Sequence, residues 1–211
     1  MLSFLIIVAI IIVAMLVWSL IKRQRDKTEK TSTSKLSLDD LSQGGIISIT
    51  GTDYLVEERN RYSAGDSEWF EVKLTGEGSE TWWLGWEPSD EEVTLTAEIE
   101  FQELGITPAD LEIFADEGRG EFEYQNLTYH LVEVGEARYH RQDEPGGDEM
   151  YYWDFHDDSS VNVVSVVQWA SGAYDAYAGR IVAKSLVEIL RAEAEEDFSP
   201  YRNIKGIISD E

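Results

Sequence analysis

The chain has 211 residues and no cysteine, and it sets 42 Asp and Glu against 17 Lys and Arg, a net charge of −25. Without cysteine there are no disulfides, no thiolate nucleophile and no cysteine-ligated zinc. A field this negative repels a phosphate backbone, so nucleic acid is excluded as a partner.

Residues 1–21 set the organisation. From Leu2 to Ile21 there is no charged residue and no helix breaker, and fourteen positions are Leu, Ile, Val or Phe. Twenty helical residues rise roughly 30 Å, the thickness of the hydrocarbon layer of a bilayer. The spacing predicts a transmembrane helix rather than a cleaved signal, because the basic cluster follows the apolar run instead of preceding it. Lys22, Arg23 and Arg25, with Lys27, Lys30 and Lys35, close the span and predict the inner side of a cytoplasmic membrane for everything after it. The expected topology is single-pass, with the N-terminus outside and Trp18 near the inner interface. Beyond this collar, 11 cations face 40 acids, a net charge of −29 on the remaining chain. Such a body favours cationic partners: a basic protein surface, a polyamine or a divalent metal.

Residues 22–36 are polar and read as a basic flexible tether. Ser37 predicts one capped helical turn through Leu41. Next come Ile46-Ile-Ser-Ile49, Tyr54-Leu-Val-Glu57, Trp69-Phe-Glu-Val-Lys-Leu74, Thr81-Trp-Trp-Leu-Gly-Trp86 and Val93-Thr-Leu-Thr-Ala-Glu-Ile99. These short β-branched and aromatic runs, parted by Gly, Asp, Asn and Ser, are the signature of an all-β domain. Thr107-Pro-Ala-Asp110 predicts one short helix to about Ala115.

The pattern then repeats. Tyr54-Leu-Val-Glu57 reads beside Tyr129-His-Leu-Val-Glu133, Tyr62 beside Tyr139, Trp69-Phe-Glu-Val beside Tyr151-Tyr-Trp-Asp-Phe155, and Trp86 beside Trp169. The extra length falls in one loop, residues 140–148, where insertion costs least. The expected fold is mainly β: two similar antiparallel meanders, residues 44–100 and 119–182, packed as a sandwich or partly open barrel within a domain of residues 37–182. Apolar spacing at Ile181, Val182, Leu186, Val187, Ile189 and Leu190 predicts a C-terminal helix from about Lys184, with a tail, over residues 183–211.

The ordered series Gly-Gly-Ile-Ile-Ser-Ile, Tyr-Leu-Val-Glu, Trp-Phe-Glu-Val-Lys-Leu, Trp-Trp-Leu-Gly-Trp-Glu, Tyr-His-Leu-Val-Glu-Val-Gly-Glu-Ala and a late Gln-Trp resembles the domain-of-unknown-function family DUF4178, over about residues 36–182. The resemblance implies a bacterial protein with a β-rich domain and an association with membrane or envelope stress. It carries no catalytic residue.

Chemistry-bearing motifs are few. There is no Gly-x-Ser-x-Gly elbow, P-loop or dinucleotide fingerprint, and no cofactor is expected. Of the three histidines, His130 falls in a predicted strand. His140 and His156 lie among Asp143, Asp148, Asp154, Asp157 and Asp158, whose spacing does not match an EF-hand loop. Neither a catalytic nor a metal site is assigned. Asn126-Leu-Thr128 spells a glycosylation sequon that a cytoplasmic domain would not use. Trp82 and Trp83 are adjacent in a strand and point to opposite faces. With Trp86 and Trp153 they form the candidate interaction surface. The expected function is a membrane-anchored cytoplasmic binding or scaffolding module in envelope or membrane stress. Its expected partners are the lipid bilayer and a protein at the membrane. The alternative is a sensor of cations or basic peptides through acidic loops; an enzyme comes third.

Overall fold

The computed structural model describes residues 36–193 except Ser79 and Asp143. The expected membrane span with Leu2, Ile21, Lys22, Arg23 and Arg25, the expected tether up to residue 35 and the residues from 194 on lie outside the described residues. Among the described residues no helix is long and apolar enough to cross a membrane.

A 3-10 turn at Leu38–Asp40 opens the domain, with Ser37 as its N-cap and Asp40 closing a capping box. Eleven strands follow: β1 Ile46–Ile49, β2 Thr52–Ala64, β3 Ser67–Thr75, β4 Thr81–Trp86, β5 Glu92–Ile99, β6 Glu121–Tyr124, β7 Leu127–Arg141, β8 Asp148–Asp157, β9 Asn162–Trp169, β10 Tyr174–Ala183 and β11 Val187–Arg191. Between β5 and β6 stand a 3-10 turn, Phe101–Leu104, and one helix, α1, Pro108–Glu117. Thr107 and Asp110 cap α1 reciprocally, and Gly118 ends it in the left-handed conformation.

The strands form one antiparallel sheet in the order β11-β1-β2-β3-β4-β5-β10-β9-β8-β7-β6, and a further pairing of β2 with β7 closes it. The eight strands from β2 through β5 and β10 to β7 thus make a closed barrel, while β1, β11 and β6 continue past the seam. The expected sandwich or partly open barrel is replaced by closure, because β2 and β7 are long enough to serve twice. Each pairs with its hairpin partner near its start, and near its end the two pair with each other, placing Tyr62 opposite Tyr139.

Two stretches of the sheet, one in each expected half, share local geometry. Both halves begin with a two-residue hairpin, Thr50-Gly51 in one and Gln125-Asn126 in the other, all four with positive φ. This is the primed turn that matches strand twist, and Asn126 of the sequon is one of its residues. Both long strands then carry a bulge at the corresponding place, Glu57 in β2 and Val132 in β7.

The predicted C-terminal helix is overturned at residues 184–191. A 3-10 turn at Lys184–Leu186 leads into β11, which pairs with β1. Ile181 and Val182 end β10, and in β11 the half-buried Val187 and Ile189 alternate with exposed Glu188 and Leu190. A helix reading of these apolar positions mixes the end of one strand with the start of another. What decides is the unpaired edge of β1, which β11 satisfies.

Three packed clusters follow from the alternation of side chains along each strand. One gathers Ile47, Ile49, Val56, Val72, Leu74, Leu84 and Leu95 with Leu38 and Leu41 of the opening turn. A second places Leu104 and Leu111 of the β5–β6 connection against Phe155, Val164, Val166 and Ala176. The third is aromatic and lies at the seam: Tyr62, Trp69, Tyr139, Tyr152, Trp169 and Tyr177 with Met150 and Val167.

Candidate functional site

Residues between those of the first two clusters point to the other side of the wall. Glu71 sits between Phe70 and Val72, Asp154 between Trp153 and Phe155, and Ser165 between Val164 and Val166. They face a cavity of about 450 Å³ to which all eight barrel strands contribute, so the cavity is the barrel lumen. An eight-stranded barrel is just wide enough to be filled by side chains or to hold one small ligand.

Two close approaches shape it. A Cβ on Gly135 of β7 would meet the hydroxyl of Tyr152 at 2.8 Å, so the missing side chain gives that ring its place in the lumen. At the β5–β10 seam, a Cβ on Gly179 would lie 2.6 Å from the Thr96 Cα, so only glycine lets the strands meet there.

The floor is aromatic. Tyr62 stacks on Trp69 with centroids 5.3 Å apart, and Trp69 meets Tyr152 edge-on at 5.8 Å. The mouth is acidic: Glu87, Asp90 and Glu92 from the β4–β5 turn, and Glu133 beside the β7 bulge. Lys184 Nζ holds that turn by donating to the carbonyls of Glu87, Pro88 and Asp90. Among the described residues lining the lumen there is no Lys or Arg.

Glu71 and Asp154 lie between floor and mouth. Glu71 accepts a hydrogen bond on Oε2 from Tyr62 at 2.7 Å. Asp154 accepts one on Oδ1 from Ser165, and Glu133 accepts one from Tyr152 at 2.7 Å. Both interior carboxylates keep some accessible surface, yet protein encloses them, so that surface opens on the lumen rather than on bulk water. Burial pushes Glu71 up to about 7; Tyr62's hydrogen bond opposes this, and the charges of Asp154 and Glu58 add to it. Burial likewise pushes Asp154 up to about 6, against the bond from Ser165 and with the charge of Glu133. At the mouth, burial and the charges of Asp90 and Glu133 raise Glu87.

Of the four tryptophans expected at an interaction surface, Trp86 and Trp153 are buried and Trp82 and Trp83 are half-buried. Trp86 is buried in the first cluster with its Nε1 donating to Asp39 at 2.9 Å. Trp153 is buried in the second and donates to the Leu111 carbonyl at 3.0 Å. Both rings fill apolar space and satisfy their polar edge internally, which removes them from any docking face. Trp82 and Trp83 do point to opposite faces: Trp82 packs on the first cluster, while Trp83 meets Tyr177 of β10 across the junction of the two halves.

The histidines divide. His130 is exposed on β7 beside Asp158 at 2.9 Å, and His156 lines the lumen near its mouth. His140 is buried, with Nε2 3.1 Å from Ser63 Oγ and Nδ1 3.2 Å from the Glu144 carbonyl. This gives His140 an orienting partner that sequence reasoning did not find. Among the described residues no carboxylate stands behind the imidazole, and the pair does not line the lumen. Among the described residues no group of three or more His, Asp or Glu side chains could hold a metal ion.

Sequence reasoning passed over Glu71 and weighed Asp154 only as one of the acids near His140 and His156. Their signal was present: each is an acid inside an aromatic strand, two residues from an aromatic on its own face, Trp69 in one case and Tyr152 in the other.

A family model described as a domain of unknown function, DUF4178, matches residues 42–184, and the chain belongs to this family. No curated protein matches, and no solved structure matches.

Proposed function

We propose that this member of the DUF4178 family is a binding module rather than an enzyme, a barrel that takes one small cationic ligand into its lumen. The observation that carries the reading is the lining: a cavity within the size range of small-molecule sites, with carboxylates at several depths and no Lys or Arg among its described residues to neutralise them. The polar lumen positions stand above an aromatic floor, while the first two apolar clusters are built on the other face. The acidic mouth raises the local concentration of cations and lowers that of anions. The apolar run of residues 2–21 and the cationic collar at Lys22, Arg23 and Arg25 support a place at the cytoplasmic face of a membrane, where tethering concentrates the domain near membrane partners.

The test is a panel of small acidic, neutral and basic compounds titrated against the full chain in detergent, read by Trp fluorescence and melting temperature. Basic compounds alone are expected to give saturable shifts, and Thr96→Tyr, which fills the lumen from β5, is expected to abolish them with the circular dichroism spectrum intact. Equal responses to acids and bases refute the reading. Carbonate washing of membranes tests the tether: release of the full chain removes it.

A second reading, a scaffold for a protein at the membrane, is favoured by β11. This strand is the outermost of the sheet beside β1, and Leu190 within it and Leu186 just before it are about half exposed, at 47% and 52%.

A further inference from the structure

We propose that the lumen is a receptor for a small protonated alkylamine, with Glu71 and Asp154 as its counter-charges and Trp69, Tyr152 and Met150 as the wall for its carbon chain. The proposal rests on the reading of the lumen as a binding site and names the ligand class.

Unused acceptors come first. Tyr62 occupies one oxygen of Glu71 and Ser165 one oxygen of Asp154; among the described residues no further side-chain donor bonds either carboxylate. A carboxylate enclosed by protein and left half-satisfied is costly, and its free lone pairs ask for N–H donors. An ammonium group supplies both the donors and the charge. A bare metal ion needs several oxygens converging on one point, and the lumen carboxylates do not converge that way among the described residues. Around the ring, Glu71 on β3 and Asp154 on β8 are separated by β2 and β7, an arrangement that suits a ligand with two charged ends.

The walls fit the rest of such a molecule. The Tyr62–Trp69 stack and the Tyr152 edge present aromatic surface beside the carboxylates, and Met150 and Val167 add apolar surface. An alkyl chain gains from burial here, and an ammonium near an aromatic face gains further. Neutral diols gain only the former, and anions are opposed at every depth.

Proton linkage follows. The groups that face Glu71 are Tyr62 and Glu58 on β2, Tyr139 on β7, Asp154 on β8 and Tyr177 on β10. Those that face Asp154 are Glu133 on β7, Tyr152 on β8 and Ser165 on β9, and His156 lines the same lumen two residues along β8. None of these is a Lys or Arg; Arg141, beside this set, is paired to Glu58 at 3.2 Å. A bound ammonium adds positive charge beside both acids and draws them toward the ordinary carboxylate range. Binding near pH 7 should release protons.

The experiment is isothermal titration of the full chain in detergent with 1,4-diaminobutane, n-butylamine and butane-1,4-diol, each at pH 7 in two buffers of different ionisation enthalpy. The expected result is saturable binding of 1,4-diaminobutane below millimolar, at least 30-fold weaker binding of the diol, and a heat that shifts between buffers in the direction of proton release. Glu71→Gln and Asp154→Asn should each weaken the diamine at least tenfold. Asp158→Asn, at an exposed acid outside the lumen, should leave it unchanged. If the diol binds as well as the diamine, or if Asp158→Asn loses as much as Glu71→Gln, the amine assignment is overturned while a binding lumen stands. If no probe binds and the wider panel is equally silent, the assignment falls together with the binding reading beneath it.

Discussion

One strand wall separates two regions with opposite chemistry. On one side Val72, Phe155 and Val164 pack with almost no exposed surface, covered by β1, β11 and α1. On the other side Glu71, Asp154 and Ser165, their immediate neighbours in sequence, face a cavity with spare acceptors. Most small barrels keep their core inside. Here two of the three apolar clusters lie outside the wall beneath added elements, and the lumen keeps polar positions above its aromatic floor. The stability of the fold and the chemistry of the lumen are thereby assigned to different faces of the same strands, and substitutions on the two faces should behave differently.

The outer face should give the largest losses. Phe155 is fully buried between Phe114 of α1 and Phe122 of β6. Phe155→Ala removes a ring from a site closed on all sides and is expected to cost about 3–5 kcal/mol, read by urea denaturation. One residue away, on the lumen face, the sign should reverse.

Glu71 shows why. Its carboxyl is pushed from 4.5 to about 7 in the folded protein. Between these values the folded state holds a proton that the unfolded state has released, so stability falls as pH rises through that window and levels off above it. The loss approaches roughly 3 kcal/mol by the linkage relation. Glu71→Gln keeps an acceptor for Tyr62 and removes the charge. It should therefore leave stability at pH 4 nearly unchanged and raise it at pH 8, as measured by melting across that range. A variant that melts higher while losing its ligand is what a functional carboxylate predicts and a structural one does not.

Asp157 sharpens the contrast from within one strand. It lies three residues beyond Asp154, buried beneath its own β8–β9 turn. There it accepts from Ser159 Oγ at 2.7 Å, Asn162 Nδ2 at 2.9 Å and the backbone amides of Val161 and Asn162 at 3.0 Å. Burial alone would raise this acid, but the bonds from Asn162, Ser159 and Val161 together hold it well below the usual range. Its stabilisation is present above about pH 4 and is lost as pH falls further, the reverse of Glu71. Asp157→Ala orphans these donors and should cost about 2 kcal/mol at pH 7, with the steep acid limb of the wild-type melting profile flattened.

Much of the barrel was legible because strands with one apolar face advertise themselves. Trp69-Phe-Glu-Val and Thr81-Trp-Trp-Leu-Gly-Trp86 name β3 and β4, and Tyr62 beside Tyr139 marks what became the closing seam. Closure itself was not legible, because pairing between β2 and β7 depends on where two long strands point after their bulges, and no local pattern records that. The end of the chain was misread for a related reason. Leu186, Val187, Ile189 and Leu190 satisfy a helical spacing in isolation, and only the open edge of β1 makes them a strand. At the site, burial was the missing variable. Among 42 acids, Glu71 and Asp154 differ only in what surrounds them.

The smallest test concerns the cover of the outer face. α1 has Pro108 at its start and Gly118 past its end, and Thr107 exchanges hydrogen bonds with Asp110, which accepts from the Thr107 amide at 2.8 Å. Only Leu111 of the helix is fully buried, so much of its placement depends on its ends and on the Trp153 bond to the Leu111 carbonyl. Thr107→Ala removes the side-chain cap and should cost about 1 kcal/mol. Because α1 touches the side of the wall away from the lumen, this loss should appear in melting temperature alone, with 1,4-diaminobutane affinity unchanged. If affinity falls in step with stability, the two faces of the wall are coupled, and the division of labour between them does not hold.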